Sequence, residues 1–218
     1  MAVELYDTEE QQVEAIKKWL NENGRSIVVG IAVGIGCVFG WNGWQNYQTA
    51  QFREASDLFQ GMLEANQNAN EESVSKTAER IKENYGDSPY AVYASFFLAK
   101  QSVETGDLEA ARKELESILV ESSESAMKNL ARVRLLKVLL AEGKASEALE
   151  LINGLEGSAR TRFEAAFHEL KGDAYVALGQ EREARTAYKR VIELGRKSRF
   201  LNLKIEDLPV PDLPQINQ

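Results

Sequence analysis

The sequence has one cysteine, Cys37, one histidine, His168, and a single proline, Pro89, before residue 209. A lone cysteine excludes an internal disulfide and a cysteine-built zinc site. Cys37 lies inside an apolar stretch, so His168 has no thiol to activate for nucleophilic catalysis. No run of five or six Lys or Arg occurs, and the formal net charge of -8 is spread along 218 residues. Nothing there can track a phosphate backbone, which argues against nucleic acid as a partner. Phosphate-binding glycine loops and G-x-S-x-G are also missing. The carboxylates fall in pairs such as Glu109 with Lys113, whose ordinary role is helix support. With no nucleophile, base and orienting group to assemble, the chain is expected to be non-enzymatic, without cofactor or metal.

What is present is a balance of 44% hydrophobic and 28% charged residues, which fits a globular domain with an appendage. The appendage is the stretch "RSIVVGIAVGIGCVFGWNGWQNYQ". From Ser26 to Phe52 it holds no Asp, Glu, Lys or Arg. As a helix, Ile27 to Trp44 would be about 27 Å long, close to the roughly 30 Å of a hydrocarbon core. A core helix of that length would show a polar face, and none begins before Asn42. A cleavable signal would have a short basic start and small residues after it, whereas here mixed charges precede the run and tryptophans follow. The stretch is therefore read as an uncleaved membrane anchor over residues 26–47.

Trp41, Trp44 and Tyr47 stand where the run ends, the depth at which amphipathic rings settle among headgroups. Lys17, Lys18 and Arg25 precede the run and only Arg53 closely follows it, so the positive-inside rule places the N-terminus in the cytoplasm. Two small-xxx-small pairs, Gly30 with Gly34 and Gly36 with Gly40, would let another membrane helix approach, although glycine is frequent in such helices generally. Ahead of the anchor, residues 1–25 carry "TEEQQVEAIKKWLNENG", a short helix with Thr8 and Gln11 as capping box and Gly24 as its end. Its apolar stripe of Val13, Ile16 and Leu20 fits either the membrane surface or a partner.

Residues 48–208 are helical in pattern almost throughout, with no sign of a sheet. Phe52, Ala55, Phe59 and Leu63 form one stripe and Val74, Ala78, Ile81 and Tyr85 a second, which predicts an antiparallel pair broken at "NQNAN". "YGDSPY" then offers a stop at Gly86, a cap at Ser88 and a proline for the first helical turn. Three later segments align without gaps. Gly106, Gly143 and Gly179 are each followed five residues later by Ala111, Ala148 and Ala184, and then by Leu115, Ile152 and Tyr188. The glycine spacings of 37 and 36 residues lie just above the 34 of a tetratricopeptide repeat. The fold class is thus all-α, a transmembrane helix followed by a tetratricopeptide-like solenoid.

Stacked repeats share one core and leave a groove lined by the first helix of each pair. Usual repeat geometry assigns to that groove Tyr93, Phe96 and Lys100, then Val133 and Lys137, then Glu169 and Asp173. The same pattern admits Phe96 and Val133 as core residues. Leu201, Ile205 and Leu208 would cap the last repeat, and Pro209, Pro211 and Pro214 forbid further helix, which leaves a proline-rich tail over 209–218.

The order of these features resembles the bacterial ancillary SecYEG translocon subunit family, the YfgM type. The resemblance is carried by "QQVEAIKKWLNENG" before an anchor ending in "GWNGW", by "YGDSPYAVYASFFLAK", by "ELKGDAYVALGQEREARTAY" and by "LNLKIEDL". The prolyl tail departs from the family's shorter ending. The resemblance implies a single-pass inner-membrane protein whose repeats lie in the periplasm, associated with SecYEG and with the periplasmic chaperone PpiD. It also implies a role in passing emerging polypeptides to periplasmic folding factors, and a link to envelope stress signalling. Periodicity and charge alone also fit an anchored scaffold for another envelope complex, such as division or outer-membrane assembly machinery.

Overall fold

A computed structural model describes residues 9–155 and 162–209, with side chains from residue 12. The chain divides into two compact units, Met1–Glu54 and Ala55–Gln218. Helix α1 (Glu9–Gln67) belongs to both.

In the first unit α1 is the only described element. Over its most apolar 18 residues the mean hydropathy is 1.7, and among the described helices it alone is long and apolar enough to cross a membrane. Its apolar side chains, Val28, Phe39 and Trp41 among them, are exposed, and the rings of Trp44 and Tyr47 lie 6.4 Å apart. The expected stop at Gly24 does not occur. Gly24 keeps a helical backbone, and the Asn23 amide donates to the Trp19 carbonyl within the same helix. One glycine inside a helix costs about 1 kcal/mol. Cooperative propagation from both sides outweighs that. The Thr8 cap lies outside the described residues.

Among the described residues, the regular elements of the second unit are all helices. They are the end of α1, α2 (Glu71–Asn84), α3 (Pro89–Glu104), α4 (Leu108–Glu121), α5 (Ser125–Ala141), α6 (Ala145–Asn153), α7 (Glu164–Ala177), α8 (Glu181–Glu193) and α9 (Arg199–Glu206). Successive helices pack in pairs, α3 on α4, α5 on α6 and α7 on α8, and α5 also meets α4 and α7, so that neighbouring pairs share one core.

The turns follow from the glycines. At Gly106, Gly143 and Gly179 φ is 82°, 76° and 70°, the left-handed region that side chains with a Cβ avoid. Each glycine closes a Schellman motif. After α3, Asp107 N–H reaches the Ser102 carbonyl at 2.8 Å and Gly106 N–H the Val103 carbonyl at 3.1 Å, and the same pair of bonds recurs after α5 and α7. Gly195 does the same after α8, a turn the repeat alignment did not contain. At the end of α1 the position falls to Ala69, with φ of 53°, where a Cβ costs about 1–2 kcal/mol.

The aligned alanines and large residues are the inter-helix contacts. Ala111, Ala148 and Ala184 are completely buried, and Leu115, Ile152 and Tyr188 are buried beside them. Between repeats, Arg112 of α4 reaches Glu147 of α6 at 2.6 Å as well as Glu116 at 2.8 Å. Of the two early stripes the second, through Val74, Ala78 and Ile81, is buried in a cluster with Ala91 and Ala94 of α3, but α1 contributes Met62 and a partly buried Phe59 to it in place of Leu63, and Phe52 is exposed. Phe59 supplies the junction, with its ring 5.4 Å from Tyr90, 5.7 Å from Tyr93 and 6.2 Å from Phe97. Ser88 sits at the N-cap of α3 with Pro89 behind it, but its hydroxyl makes no capping bond. Capping falls instead to Asn70 on Ser73 N–H at 3.1 Å and to Asp107 on Ala110 N–H at 2.9 Å.

Helix α9 closes the array, with Leu201 and Leu208 buried against Tyr188 and Val191, and Ile205 half-buried beside them. Arg185 donates to the carbonyls of Leu208 at 3.1 Å and Pro209 at 2.7 Å, which ties down the chain after α9. The expected tail beyond residue 209 lies outside the described residues.

Candidate functional site

The residues that repeat geometry assigned to one groove divide among four environments. Phe96 is in the core at 6% exposure, packed with Leu135, Leu136 and Leu139 of α5. This replaces its assignment to the groove. The reason is its position: Phe96 lies on the face of α3 that shares a core with the leucines of α5, whereas Tyr93 and Lys100 stand on exposed positions of the same helix. Val133 is half-buried against the same core.

Tyr93, 36% exposed, lines a cleft of about 560 Å³ between the α2–α3 and α4–α5 turns, with Pro89, Ser122 and Met127. The Ser88 hydroxyl at its edge is buried without a hydrogen-bond partner among the described residues.

Lys100 and Lys137 come together across a second cleft, of about 350 Å³, between the C-terminal halves of α3 and α5 and the start of α4. Ala99, Val103, Leu108, Leu115, Val138 and Ala141 form its apolar lining. Sequence reasoning missed Arg134, which also lines it. Its signal was available, because Arg134, Lys137 and Ala141 recur at three- and four-residue spacing on one face of α5. The Arg134 guanidinium lies 4.5 Å from the centroid of Phe96, a cation–π contact. Partial desolvation lowers the pKa of Arg134 below its ordinary value. Lys100 pairs with Glu104 at 3.4 Å, an exposed contact of little energetic weight.

Glu169 and Asp173 are not directed to an open groove, because Lys204 of α9 binds both. Its ammonium donates to Asp173 at 2.7 and 2.9 Å and to Glu169 at 3.2 Å. The Tyr188 hydroxyl donates to Asp173 at 2.7 Å, and Arg196 lies 3.6 Å from Glu169. Burial and then the Asp173 carboxylate raise the Tyr188 pKa strongly. For Lys204 burial acts downward, but the bonds to Asp173 and Glu169 prevail and its pKa is raised.

Both groups hold their protons more tightly in the folded chain. Their stabilisation is therefore complete below the unfolded values of about 10 for Tyr and 10.4 for Lys, and is lost as pH rises through the folded values. Thermal unfolding midpoints measured across a pH series are expected to be level up to about pH 9 and to fall above about pH 10. Tyr188→Phe should remove part of the alkaline fall. A variant as alkali-sensitive as the parent would show that this network does not govern it.

In the anchor, a Cβ built at Gly30, Gly34, Gly36 or Gly40 would meet nothing within 4 Å, so no contact among the described residues explains these glycines.

The chain matches the family described as "Tetratricopeptide repeat-like domain" over residues 17–210. A curated protein of Escherichia coli K12 named "Ancillary SecYEG translocon subunit" is 28% identical over 211 residues, 95% of this chain and 100% of that protein. A protein of the same name from Haemophilus influenzae is 28% identical, covering 92% of this chain and 97% of its own length. A third, from Aggregatibacter actinomycetemcomitans, is 31% identical and covers 85% and 89%. No solved structure matches. The match to the repeat family includes most of the long apolar helix and all eight helices after it that the structure describes, and the similarity to the named subunits runs nearly end to end: the chain belongs to the tetratricopeptide repeat-like family of ancillary SecYEG translocon subunits.

Proposed function

We propose that the protein is a non-enzymatic, membrane-anchored scaffold that works beside the SecYEG translocon. The observation that carries this reading is similarity to ancillary SecYEG translocon subunits over 85–95% of the chain, anchor and repeats together. The apolar part of α1 holds the chain in the inner membrane. The surplus of Lys17, Lys18 and Arg25 over Arg53 orients it, with the N-terminus in the cytoplasm and the repeats in the periplasm. The repeat clefts at Tyr93 and at Lys100 and Lys137 receive the periplasmic chaperone PpiD or a chain emerging from the channel, and so bring translocated polypeptides to folding factors. Trp41, Trp44 and Tyr47 lie at the outer interface, and the glycine pairs of the anchor face a neighbouring membrane helix.

Photocrosslinking in intact cells tests the reading, with probes at Tyr93, Lys100 and Lys137 and a control at Val120, which is 82% exposed on α4. The expected products contain translocon subunits or PpiD and come from the cleft probes, not from Val120. A correctly inserted chain whose cleft probes capture only unrelated envelope proteins would overturn it.

A further inference from the structure

We infer that the cleft between α3 and α5 receives an extended polypeptide segment in which an apolar side chain stands next to a carboxylate. The inference deepens the proposed function and rests on its reading of this cleft as partner-facing.

Size comes first. At about 350 Å³ the cleft lies near the lower end of the roughly 300–1,000 Å³ of small-ligand sites. An α-helix, about 10–12 Å across with its side chains, is too wide for that space, whereas one or two side chains of an extended strand fit. The lining is aliphatic, and Val103 remains 46% exposed within it, so an apolar side chain would cover surface that the fold leaves wet.

Charge then selects the neighbour of that side chain. Three cations, Lys100, Arg134 and Lys137, line the cleft against one carboxylate, Glu104, which is already paired with Lys100. The local sign is opposite to the chain's net charge of -8. Among the described residues, neither Arg134 nor Lys137 has a carboxylate within ion-pair distance. The Arg134 guanidinium carbon lies over the Phe96 ring, 4.5 Å from its centroid, and its N–H donors can take a carboxylate from the partner. A carboxylate there gains a charge-assisted contact in a partly desolvated place. A Lys or Arg of the partner would meet like charge instead.

The full chain, purified and placed in zwitterionic lipid nanodiscs, is titrated by fluorescence anisotropy with short labelled peptides. One alternates Leu with Asp, a second Leu with Lys, and a third Gly with Asp. The Leu/Asp peptide is expected to bind at least about tenfold more tightly than either of the others. In the double variant Lys100→Glu and Lys137→Glu, both on exposed positions, the Leu/Asp affinity should fall by about tenfold or more and the preference for Asp over Lys should disappear. Circular dichroism checks that the variant is folded, and Arg134→Gln provides an independent loss of the same preference. Equal binding of Leu/Asp and Leu/Lys peptides, or unchanged Leu/Asp binding by the double variant, overturns the inference. Crosslinks to the translocon that persist while the peptides are not discriminated would leave the scaffold reading standing alone. Discrimination without such crosslinks would keep the ligand chemistry and remove the translocon assignment.

Discussion

Truncating Phe96 to alanine is expected to destabilise the repeat unit by about 3–5 kcal/mol, while Lys137→Ala changes stability by no more than about 0.5 kcal/mol. Both residues fit the groove-facing pattern of a first repeat helix, and their surroundings separate them. Phe96 fills the space between α3 and the leucines of α5, and its loss leaves a cavity that Leu135, Leu136 and Leu139 cannot close without moving α5. Its ring also supports the Arg134 guanidinium, so the truncation disorganises the cationic cleft as well. Lys137 is exposed and takes part in no ion pair among the described residues. For a chain of this size the Phe96 effect corresponds to a drop of about 6–20 °C in the thermal midpoint. Differential unfolding of the two variants by circular dichroism checks it, and equal shifts would remove Phe96 from the core.

Gly172→Ala is expected to destabilise the chain even though it replaces a helix-interior glycine by the best helix former. A Cβ at Gly172 would lie 2.2 Å from Cε1, 2.5 Å from Cδ1 and 2.8 Å from Cζ of Tyr188. That ring is 1% exposed and cannot swing into solvent. Overpacking of this kind costs about 1–3 kcal/mol. Moving the ring also endangers the hydroxyl bond to Asp173, worth about 1.5–3 kcal/mol for a charged acceptor. The gain in helix propensity, about 1 kcal/mol, is the smaller quantity. A double-mutant cycle isolates the clash. In a Tyr188→Leu background the ring is gone, and Gly172→Ala should cost far less than in the parent. Additive effects would show that the ring is not what the methyl group meets. Because α9 rests on Tyr188, the single variant should also loosen the C-terminal cap.

Local rules made the array legible. A left-handed residue is required wherever a helix turns back in a Schellman motif, and glycine meets that requirement at Gly106, Gly143 and Gly179 with no reference to the rest of the chain. Helical periodicity likewise placed Ala111, Ala148 and Ala184, with their large partners, on the buried faces. The same rules misjudged Gly24, because a glycine permits a stop without enforcing one, and the apolar run that follows propagates the helix through it.

The sequence by itself determined the anchor's length and composition, the helical class, the repeat register and three of the turns, since each depends on neighbours within about one helical turn. Only the tertiary structure decided what covers each face. Lys204 lies 31 residues beyond Asp173 and 35 beyond Glu169, and its arrival on α9 makes those carboxylates an internal network. In the same way, the packing of α5 on α3 buries Phe96 and aligns Arg134 and Lys137 with Lys100. Periodicity fixes the direction of a side chain about its own helix axis. The partner it meets there is set by helices far along the chain, whose approach no local pattern encodes.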